Sequence, residues 1–471
     1  MRQGNQHHVS VFHRFAQWPG VLRSSFLVAS FVAVFPAAAW GPHPRITEAA
    51  LEVLGTNHPL ARALGTQLLR LTNTCWMADF KRLPFREPDQ DFYADDYLLF
   101  PQAPAHLDHI CPEVKKTYEP YFRRAVQALR TESPANAARW IGSLLHFVED
   151  TGSPPHAAEI RGDIHMKMEN WVKAELIHID GYQPRRLGTN DATALAGFQR
   201  RMDELIEFSK PRGLGLRTRV VIGQRLAVEP VVLECALETS RVVADLLHTL
   251  GQMVSAPTAG SCVLRGRIES KSAPLLEKVP ARLLFAGTNI ATLAEADGTF
   301  ELRGLPAGEH RLTVLRPGSS TTNLPVVLTA GRTNFLNVIL PATPASLLRN
   351  GDFSVKWVRP DAPDCWTRMG NTWEGEVLAL KPEQSYRLTV DFKPGATGDV
   401  LVRWTRQLPH TLPQNIKLPK IDSRPLTPEQ PTLSFTGSDT MALLQVMVRT
   451  KNSPESVCRS ITLIAVDDAV K

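Results

Sequence analysis

The segment His146-Phe-Val-Glu-Asp-Thr-Gly-Ser-Pro-Pro-His156, followed closely by His165-Met-Lys-Met-Glu169, decides how this sequence is interpreted. Residues four apart lie on the same face of a helix, so His146 is paired with Asp150 and His165 with Glu169. Each pair can direct an imidazole and a carboxylate at one metal ion, a mixed nitrogen and oxygen set that suits zinc. The Pro-Pro pair would end the first helix and turn His156 toward the same place.

A single pair of this kind carries little information. With 14 histidines and 47 acidic residues among 471 positions, about one His-x-x-x-acid pair is expected by chance. His109 with Glu113 is a candidate for that chance pair, because Pro112 interrupts the spacing. A lone histidine is more often a hydrogen-bonded helix residue than a ligand. The prediction of a metal site therefore depends on the whole series from His146 to Glu169.

Apolar residues recur at helical spacing from Ile46 to about Met253, as at Trp140, Leu144 and Val148. This pattern predicts an all-α domain over residues 40–256. It also places the His146 series on helices rather than on loops.

The pattern changes after the linker-like stretch Ser255-Ala-Pro-Thr-Ala-Gly-Ser261. Short alternating runs such as Val263-Leu-Arg-Gly-Arg-Ile268 are typical of strands. A second break at Pro341-Ala-Thr-Pro-Ala345 divides the strand-like part. We therefore predict two all-β sandwich domains after the helical domain, over residues 260–342 and 346–471.

Residues 1–39 have the features of a signal peptide. Arg23 precedes an apolar run from Phe26 to Phe35, and Ala37-Ala-Ala39 places small residues at a cleavage position before Trp40. The run is shorter than the roughly 18 residues that a membrane-spanning helix needs. We therefore expect a secreted or periplasmic protein that begins at Trp40, with an uncleaved anchor as the alternative. The net charge of +6 includes three arginines of this segment, and the remaining +3 is too little to indicate a nucleic-acid partner.

Several motifs together resemble the zinc-dependent phospholipases C of bacteria and the related single-strand-specific nucleases. The similarity is carried by Trp40-Gly-Pro-His43, Trp76-Met-Ala-Asp79-Phe80, His106-Leu-Asp108 and the segment from His146 to Glu169. In that family a processed N-terminal tryptophan binds zinc through its α-amino and carbonyl groups, and His, Asp and Glu side chains complete three zinc sites. The resemblance implies an all-α phospholipase C-like domain with three Zn²⁺ per chain.

Carried over onto this sequence, the resemblance implies three zinc sites, of which the first and the third share the carboxylate of Asp150. A bridging role for Asp150 agrees with its chemistry, because a carboxylate has two oxygens and adjacent dications repel unless an anion lies between them. His106 competes with His109, and we prefer His106 because the family's ligand is followed by an apolar residue and then an acid. The implied ligands are Asp79, His106, His146 and Asp150 for the first zinc, His156, His165 and Glu169 for the second, and Trp40, His43 and Asp150 for the third.

The resemblance also implies hydrolysis of a phosphodiester by water that zinc activates, since bound zinc lowers the pKa of water from 15.7 to about 7. Asp79 or a hydroxide shared by the metals would accept the proton. Phe80 would contact the substrate headgroup. The sequence has no Gly-x-Ser-x-Gly, P-loop or His-Glu-x-x-His motif that would supply another catalytic apparatus.

The substrate class is less specified than the metal chemistry. Glu169 in place of Asp, together with the runs 168–172 and 78–81, resembles the phospholipase C branch, which releases a phosphorylated headgroup and leaves diacylglycerol. A single-strand-specific nuclease is the alternative, because the aromatic residues between Asp79 and His106 could stack nucleobases. A further alternative is a non-enzymatic surface protein with structural zinc and glycan-binding β-domains. Three protein ligands on the second zinc would leave an open position, which favours the enzyme.

All six cysteines follow the expected cleavage site, and an exported chain meets oxidising conditions. Proximity in sequence predicts the disulfides Cys75–Cys111, Cys235–Cys262 and Cys365–Cys458, although six cysteines allow fifteen connectivities.

The two β-domains carry weaker resemblances. The segment from Glu295 to Glu309 is similar to the carboxypeptidase-regulatory-like β-sandwich, and its Asp297-Gly298 predicts a hairpin turn. The part from Leu347 resembles a jelly-roll carbohydrate-binding module only weakly. Its tryptophans could stack on sugars, although core packing is the commoner role. The partners implied are a phospholipid or other phosphodiester, a membrane surface in transient contact, and a glycan. The tryptophans concerned are Trp357, Trp366, Trp373 and Trp404.

Overall fold

The computed structural model describes most of the chain after the predicted signal peptide. All α-helices of this described part lie between His43 and Gln252, and all its strands lie between Cys262 and Val466, which is the predicted order. The domain boundaries 40–256, 260–342 and 346–471 stay predictions, and Trp40 lies outside the described residues. The described residues are 41–75, 109–254, 261–270, 281–316 without 287, 289 and 296, 321–340, 346–354, 362–363, 366–375, 378–405, 422–439 and 441–466.

The helical half is built around one buried helix, α5. The helices are α1 (His43–Leu54), α2 (Pro59–Leu64), α3 (Arg70–Thr74), α4 (Lys115–Thr131), α5 (Pro134–Gly152), α6 (Pro154–Ala157), α7 (Asp163–Asn170), α8 (Asp191–Val221) and α9 (Arg225–Gln252). Every residue of α5 from Ala135 to Gly152 is buried. It packs against α1, α3, α4, α6, α8 and α9, so its polar side chains must find partners inside the protein.

Local sequence explains where α5 begins and ends. Ser133 caps its N-terminus by accepting a hydrogen bond of 3.2 Å from the amide of Asn136, and proline occupies the first helical position. The prolines at 154 and 155 begin α6 directly after α5 ends, so the predicted break before His156 is confirmed. Gly142 permits the close approach of α3, because a Cβ atom there would lie 2.0 Å from Oγ1 of Thr74.

The N-terminal end of α5 is attached to the first group of strands. Asn136 donates a hydrogen bond of 2.6 Å from Nδ2 to Oγ1 of Thr292, and Arg139 lies 3.1 Å from the carboxylate of Glu295. A hydrophobic cluster that includes α5 residues also contains Leu293. Helix α5, which carries His146 and Asp150, therefore contacts both the other helices and the first group of strands.

The strands form two pairs of sheets. The first pair joins β4-β1-β7 with β3-β2-β5-β6, and the second joins β13-β12-β15-β9-β8 with β14-β11-β16, while β10 pairs with β15. Strands β1 and β7 run parallel, and the other pairs are antiparallel. The strands are β1 (Cys262–Ser270), β2 (Arg282–Phe285), β3 (Ala291–Leu293), β4 (Thr299–Leu305), β5 (Gly308–Leu315), β6 (Thr322–Leu328), β7 (Thr333–Leu340), β8 (Trp366–Met369), β9 (Thr372–Gly375), β10 (Leu378–Ala379), β11 (Ser385–Phe392), β12 (Gly398–Thr405), β13 (Asp422–Leu426), β14 (Thr432–Thr436), β15 (Leu443–Thr450) and β16 (Cys458–Val466).

Two predictions for the strands need correction. Asp297-Gly298 forms a turn, with Gly298 at φ +85°, but not a hairpin, because β3 pairs with β2 and β4 pairs with β1 in the other sheet. Trp366, Trp373 and Trp404 are buried in the core of the second sheet pair, so these three form no exposed sugar-stacking face. Trp357 lies outside the described residues.

The predicted disulfides are not present among the described cysteines. Cys75, Cys111, Cys235 and Cys458 are thiols, and burial raises the pKa of Cys111 to about 11. Cys75 donates to the carbonyl of Thr72 within α3 instead of joining Cys111. Cys235 lies within α9, whereas Cys262 begins β1 and donates its Sγ hydrogen to a backbone carbonyl, so that pair is also wrong. Cys365 lies outside the described residues.

No described helix combines the length and the apolar composition that crossing a lipid bilayer requires.

Candidate metal centre

Two groups of side chains within the described residues have the composition of metal sites. His43, His146 and Asp150 form one group, and the potential ligand atoms in each group lie within 4.8 Å of one another. The second group consists of His156, His165 and Glu169. Helix α1 supplies His43 and helix α5 the other two members of the first group, whereas the next two helices of the chain, α6 and α7, supply the second group.

Asp150 lies between the two groups. Its Oδ1 is 3.4 Å from Nε2 of His43 and 3.8 Å from Nε2 of His156. Its Oδ2 is 2.9 Å from Nδ1 of His109 and 3.0 Å from Nε2 of His146. Each carboxylate oxygen therefore faces its own pair of imidazoles. This is the arrangement that a carboxylate bridging two cations requires.

The opposite ring nitrogens of three histidines are held by backbone carbonyls at 2.9 Å. Nδ1 of His146 faces the carbonyl of Cys75, Nδ1 of His156 faces that of His109, and Nδ1 of His165 faces that of Ile160. A carbonyl only accepts hydrogen bonds, so each Nδ1 carries a proton and each Nε2 is the ring nitrogen directed at the centre. Such partners fix the tautomer and orientation of metal-binding histidines.

His43 is oriented by a carboxylate rather than a carbonyl. Its Nδ1 lies 2.7 Å from Oε2 of Glu149, and Oγ1 of Thr47 donates a hydrogen bond of 2.6 Å to Oε1 of the same carboxylate. All three side chains are buried. Glu149 points to α1 while its neighbour Asp150 points to the centre, so its role depends on the packing of α1 on α5 and not on a local sequence pattern.

The second group is joined through one carboxylate oxygen. Oε1 of Glu169 is 2.8 Å from Nε2 of His156 and 3.1 Å from Nε2 of His165. Oε2 of Glu169 is buried and has no hydrogen-bond partner among the described residues. A buried carboxylate oxygen without a donor is costly, and a cation would satisfy it. The donor set of two imidazoles and a carboxylate therefore fits zinc.

His109 belongs to the centre, although the sequence suggested a chance pair with Glu113. Its Nδ1 lies 3.0 Å from Nε2 of His146 as well as 2.9 Å from Asp150. Two hydrogen bonds place it there: the amide of Cys111 donates to the carbonyl of His156, and the His156 ring donates to the carbonyl of His109. These contacts join segments distant in sequence, so no local motif marks them.

The carboxylates of the centre favour positive charge. Burial opposes charge on His43, but hydrogen bonds to Asp150 and Glu149 raise its pKa to about 9. Burial likewise opposes charge on His156, and the charge of Asp150 raises its pKa to about 9. Burial would raise the pKa of Asp150, yet the surrounding histidines hold it well below its usual value. The centre thus has a negative potential, and metal ions would replace the imidazolium protons on binding.

The centre has a closed and an open side. The side chains of His43 and His146 are at most 1% exposed, whereas His109 is 16% and His165 is 13% exposed. His109 and His165 therefore mark the side of the centre that faces solvent.

The structure brings together six of the predicted residues with His109. The six are His43, His146, Asp150, His156, His165 and Glu169. Four predicted residues lie outside the described residues, namely Trp40, Asp79, Phe80 and His106. His109 lies at the centre, but His106 is outside the described residues, so the choice between them as ligand stays open.

No model of a known protein family matches this chain, and no curated protein matches it. Similar solved structures include the alpha-toxin of an avian strain of Clostridium perfringens, at 12% identity over 63% of this chain and 98% of that chain, with a TM-score of 0.35. The alpha-toxin of Clostridium absonum is similar at 11% identity over 62% of this chain and 96% of that chain, with a TM-score of 0.33.

A C-terminal interface mutant of the type II cohesin-X-dockerin complex from Acetivibrio cellulolyticus matches 17% of this chain at 13% identity, with a TM-score of 0.15. This chain spans 56% of the length of that one. TM-scores this low carry no functional conclusion, so the function proposed below rests on the geometry of the centre.

Proposed function

We propose that this protein is a zinc-dependent phosphodiesterase, and that it acts as a phospholipase C. The observation that supports this most is the position of Asp150, whose two oxygens face separate pairs of imidazoles in a buried centre. A structural zinc site needs only one closed set of four ligands, whereas this centre extends over two groups and reaches the surface.

The residues present would hold two or more ions. His109, His146 and Asp150 offer one set, His156, His165 and Glu169 a second, and His43 with Asp150 part of a third. Trp40 and Asp79 would complete three zinc sites in this proposal, with His106 as the alternative to His109. When bound, zinc supplies a Lewis acid and lowers the pKa of water to about 7, as phosphodiester hydrolysis at neutral pH requires.

The chain's own groups have separable tasks in this proposal. The three carbonyl-held histidines keep their Nε2 atoms directed inward, where a metal ion would replace any proton on them. The open side at His109 and His165 admits the phosphodiester, while the buried α5 side excludes water from the opposite direction. Asp79 would accept the proton of the attacking water, and Phe80 would contact the headgroup.

Phospholipid is the preferred substrate, and single-stranded nucleic acid is the alternative within the same chemistry. The non-enzymatic alternative, with glycan-binding β-domains, loses one of its supports because Trp366, Trp373 and Trp404 are buried. The secreted or periplasmic location stays part of the proposal.

The test is hydrolysis by zinc-loaded protein of phosphatidylcholine, a soluble phosphocholine diester and single-stranded DNA, measured side by side. Glu169→Gln keeps the shape of a ligand and removes its charge, and Glu175→Gln is the matched control because Glu175 is exposed on the segment after α7. We expect Glu169→Gln to lose turnover and zinc, and Glu175→Gln to keep both.

Each alternative has its own result. Faster turnover of single-stranded DNA than of either choline substrate would replace the phospholipase by the nuclease. Full zinc content with no turnover of any phosphodiester would contradict the enzyme and favour structural zinc.

A further inference from the structure

The turn between α8 and α9 exposes large aliphatic side chains. Val221 and Ile222 are each 61% exposed, and Leu226 is 84% exposed, within six consecutive residues. Elsewhere on these helices the aliphatic side chains mostly face the core, as at Leu216 and Val228. Solubility does not explain this cluster, because polar residues at a helix turn would serve better.

The end of α8 and the turn that follows it are strongly basic. Residues 210–226, here named the α8–α9 tip, contain five basic residues and no acidic residue. Arg225 is paired with Glu229 and Arg212 with Glu234, while Arg217 and Arg219 form no ion pair with another described residue. Exposed aliphatic side chains surrounded by arginines are the composition of an interfacial membrane contact.

Contacts connect the tip to both segments that carry the second ligand group. Gly213 packs so closely on α6 that a Cβ atom there would lie 2.3 Å from the carbonyl of Pro154, and Lys210 pairs with Glu159 at 2.8 Å. On the other side Lys173, shortly after α7, lies 3.7 Å from Glu229, which pairs with Arg225 of the tip. At about 1.5 Å of rise per residue, Val221 is about 12 Å along α8 from Gly213.

We propose that the α8–α9 tip docks on an anionic lipid surface and thereby holds the open side of the metal centre near the membrane. The aliphatic side chains enter the interface between headgroups and acyl chains, and the arginines pair with lipid phosphates. Nucleic acid would also attract the arginines, but it offers no apolar layer for Ile222 and Leu226. The proposal rests on the proposed function only for its purpose, since binding is measurable without turnover.

The experiment measures co-sedimentation of the zinc-loaded full chain with vesicles of phosphatidylcholine, with and without phosphatidylglycerol. We expect binding to vesicles that contain phosphatidylglycerol and weaker binding at high salt. The double variants Ile222→Asp with Leu226→Asp, and Arg217→Gln with Arg219→Gln, should each weaken this binding about tenfold or more.

Matched controls change exposed residues elsewhere. Val327→Asp with Phe335→Asp alters two exposed apolar residues of β6 and β7, and Arg332→Gln with Arg387→Gln removes two exposed arginines. These controls should bind vesicles as the wild type does, and all four variants should keep the turnover of a soluble phosphodiester.

Two outcomes would overturn the proposal. In one, the tip variants bind vesicles as tightly as the wild type does. In the other, the protein binds single-stranded DNA through the tip and does not bind vesicles. Tip-dependent vesicle binding by a protein that hydrolyses no phosphodiester would support the docking surface and contradict only the proposed function.

Discussion

Two buried carboxylates of the helical half, Asp150 and Asp245, have opposite kinds of partner. Asp245 accepts hydrogen bonds from the hydroxyl of Tyr182 at 2.8 Å and the amide of Arg185 at 2.7 Å, and Nε of Arg201 donates to it at 3.0 Å. Among the described residues, the side-chain partners of Asp150 are imidazoles. A guanidinium is permanently charged, whereas an imidazole can exchange its proton for a metal ion.

The difference separates a structural from a functional carboxylate. Asp245 is satisfied by groups of the fold itself and joins α8, α9 and the segment before α8. Asp150 is satisfied only when its surroundings carry added positive charge, either protons or cations. Burial alone therefore does not identify the functional acid, but the chemistry of its partners does.

Removing the charge of Asp150 should have the largest effect. Asp150→Asn takes away the oxygen charge that the two ligand groups share, so we expect loss of zinc and a fall in phosphodiester turnover of at least about 1,000-fold. Zinc per chain, measured by mass spectrometry, and initial rates on a soluble diester are the readouts. Unchanged zinc content in this variant would contradict the role of Asp150 as a shared zinc ligand.

The matching change at Asp245 should affect stability instead. Asp245→Asn leaves the buried Arg201 without one of its carboxylates, and we expect the free energy of unfolding in urea to fall by about 3 kcal/mol. Zinc content and turnover of the folded variant should equal those of the wild type. If this variant lost zinc while its unfolding midpoint stayed constant, the distinction between the two carboxylates would be wrong.

A substitution of Glu149 measures how much the hydrogen-bond partner of a candidate ligand contributes to zinc affinity. Glu149→Gln keeps the size of the side chain but weakens its hold on Nδ1 of His43, so zinc affinity at that histidine should fall about 10- to 100-fold. Competition with a fluorescent chelator measures this. Glu48→Gln is the control, since Glu48 is an exposed residue of α1 that pairs with Arg45.

Local periodicity was enough to predict part of this centre. The spacing of His146 and Asp150 on α5, the spacing of His165 and Glu169 on α7, and the proline break before His156 depend only on residues close in sequence. The helical and strand-rich halves could be predicted for the same reason.

Contacts between distant segments could not be predicted in this way. His109 reaches the centre because its backbone pairs with that of His156, and Glu149 finds His43 only because α1 packs on α5. The hairpin predicted at Asp297-Gly298 failed for a similar reason, since a turn residue specifies the local bend and not which sheet the next strand joins.

The smallest effect concerns two histidines that contact each other, although the charge of Asp245 also acts on His248. Nε2 of His58 lies 3.0 Å from Nδ1 of His248, and burial, together with the charge of His248, lowers the pKa of His58 to about 4. Because the folded pKa lies below the unfolded value of about 6.5, the stabilisation is complete above that pH and is lost as the pH falls toward 4.

His58→Asn removes this titration and keeps an acceptor for the amide of Leu60, which donates to Nδ1 of His58 at 3.3 Å in the wild type. Between pH 7 and 4.5 the metal-depleted wild type should therefore lose about 1 kcal/mol more unfolding free energy than His58→Asn, a modest difference because His58 is partly exposed and screened by solvent. Urea unfolding at both pH values measures the difference. Equal losses in the two proteins would show that protonation does not destabilise this imidazole pair, and that the histidines around Asp150 need no carboxylate to carry protons.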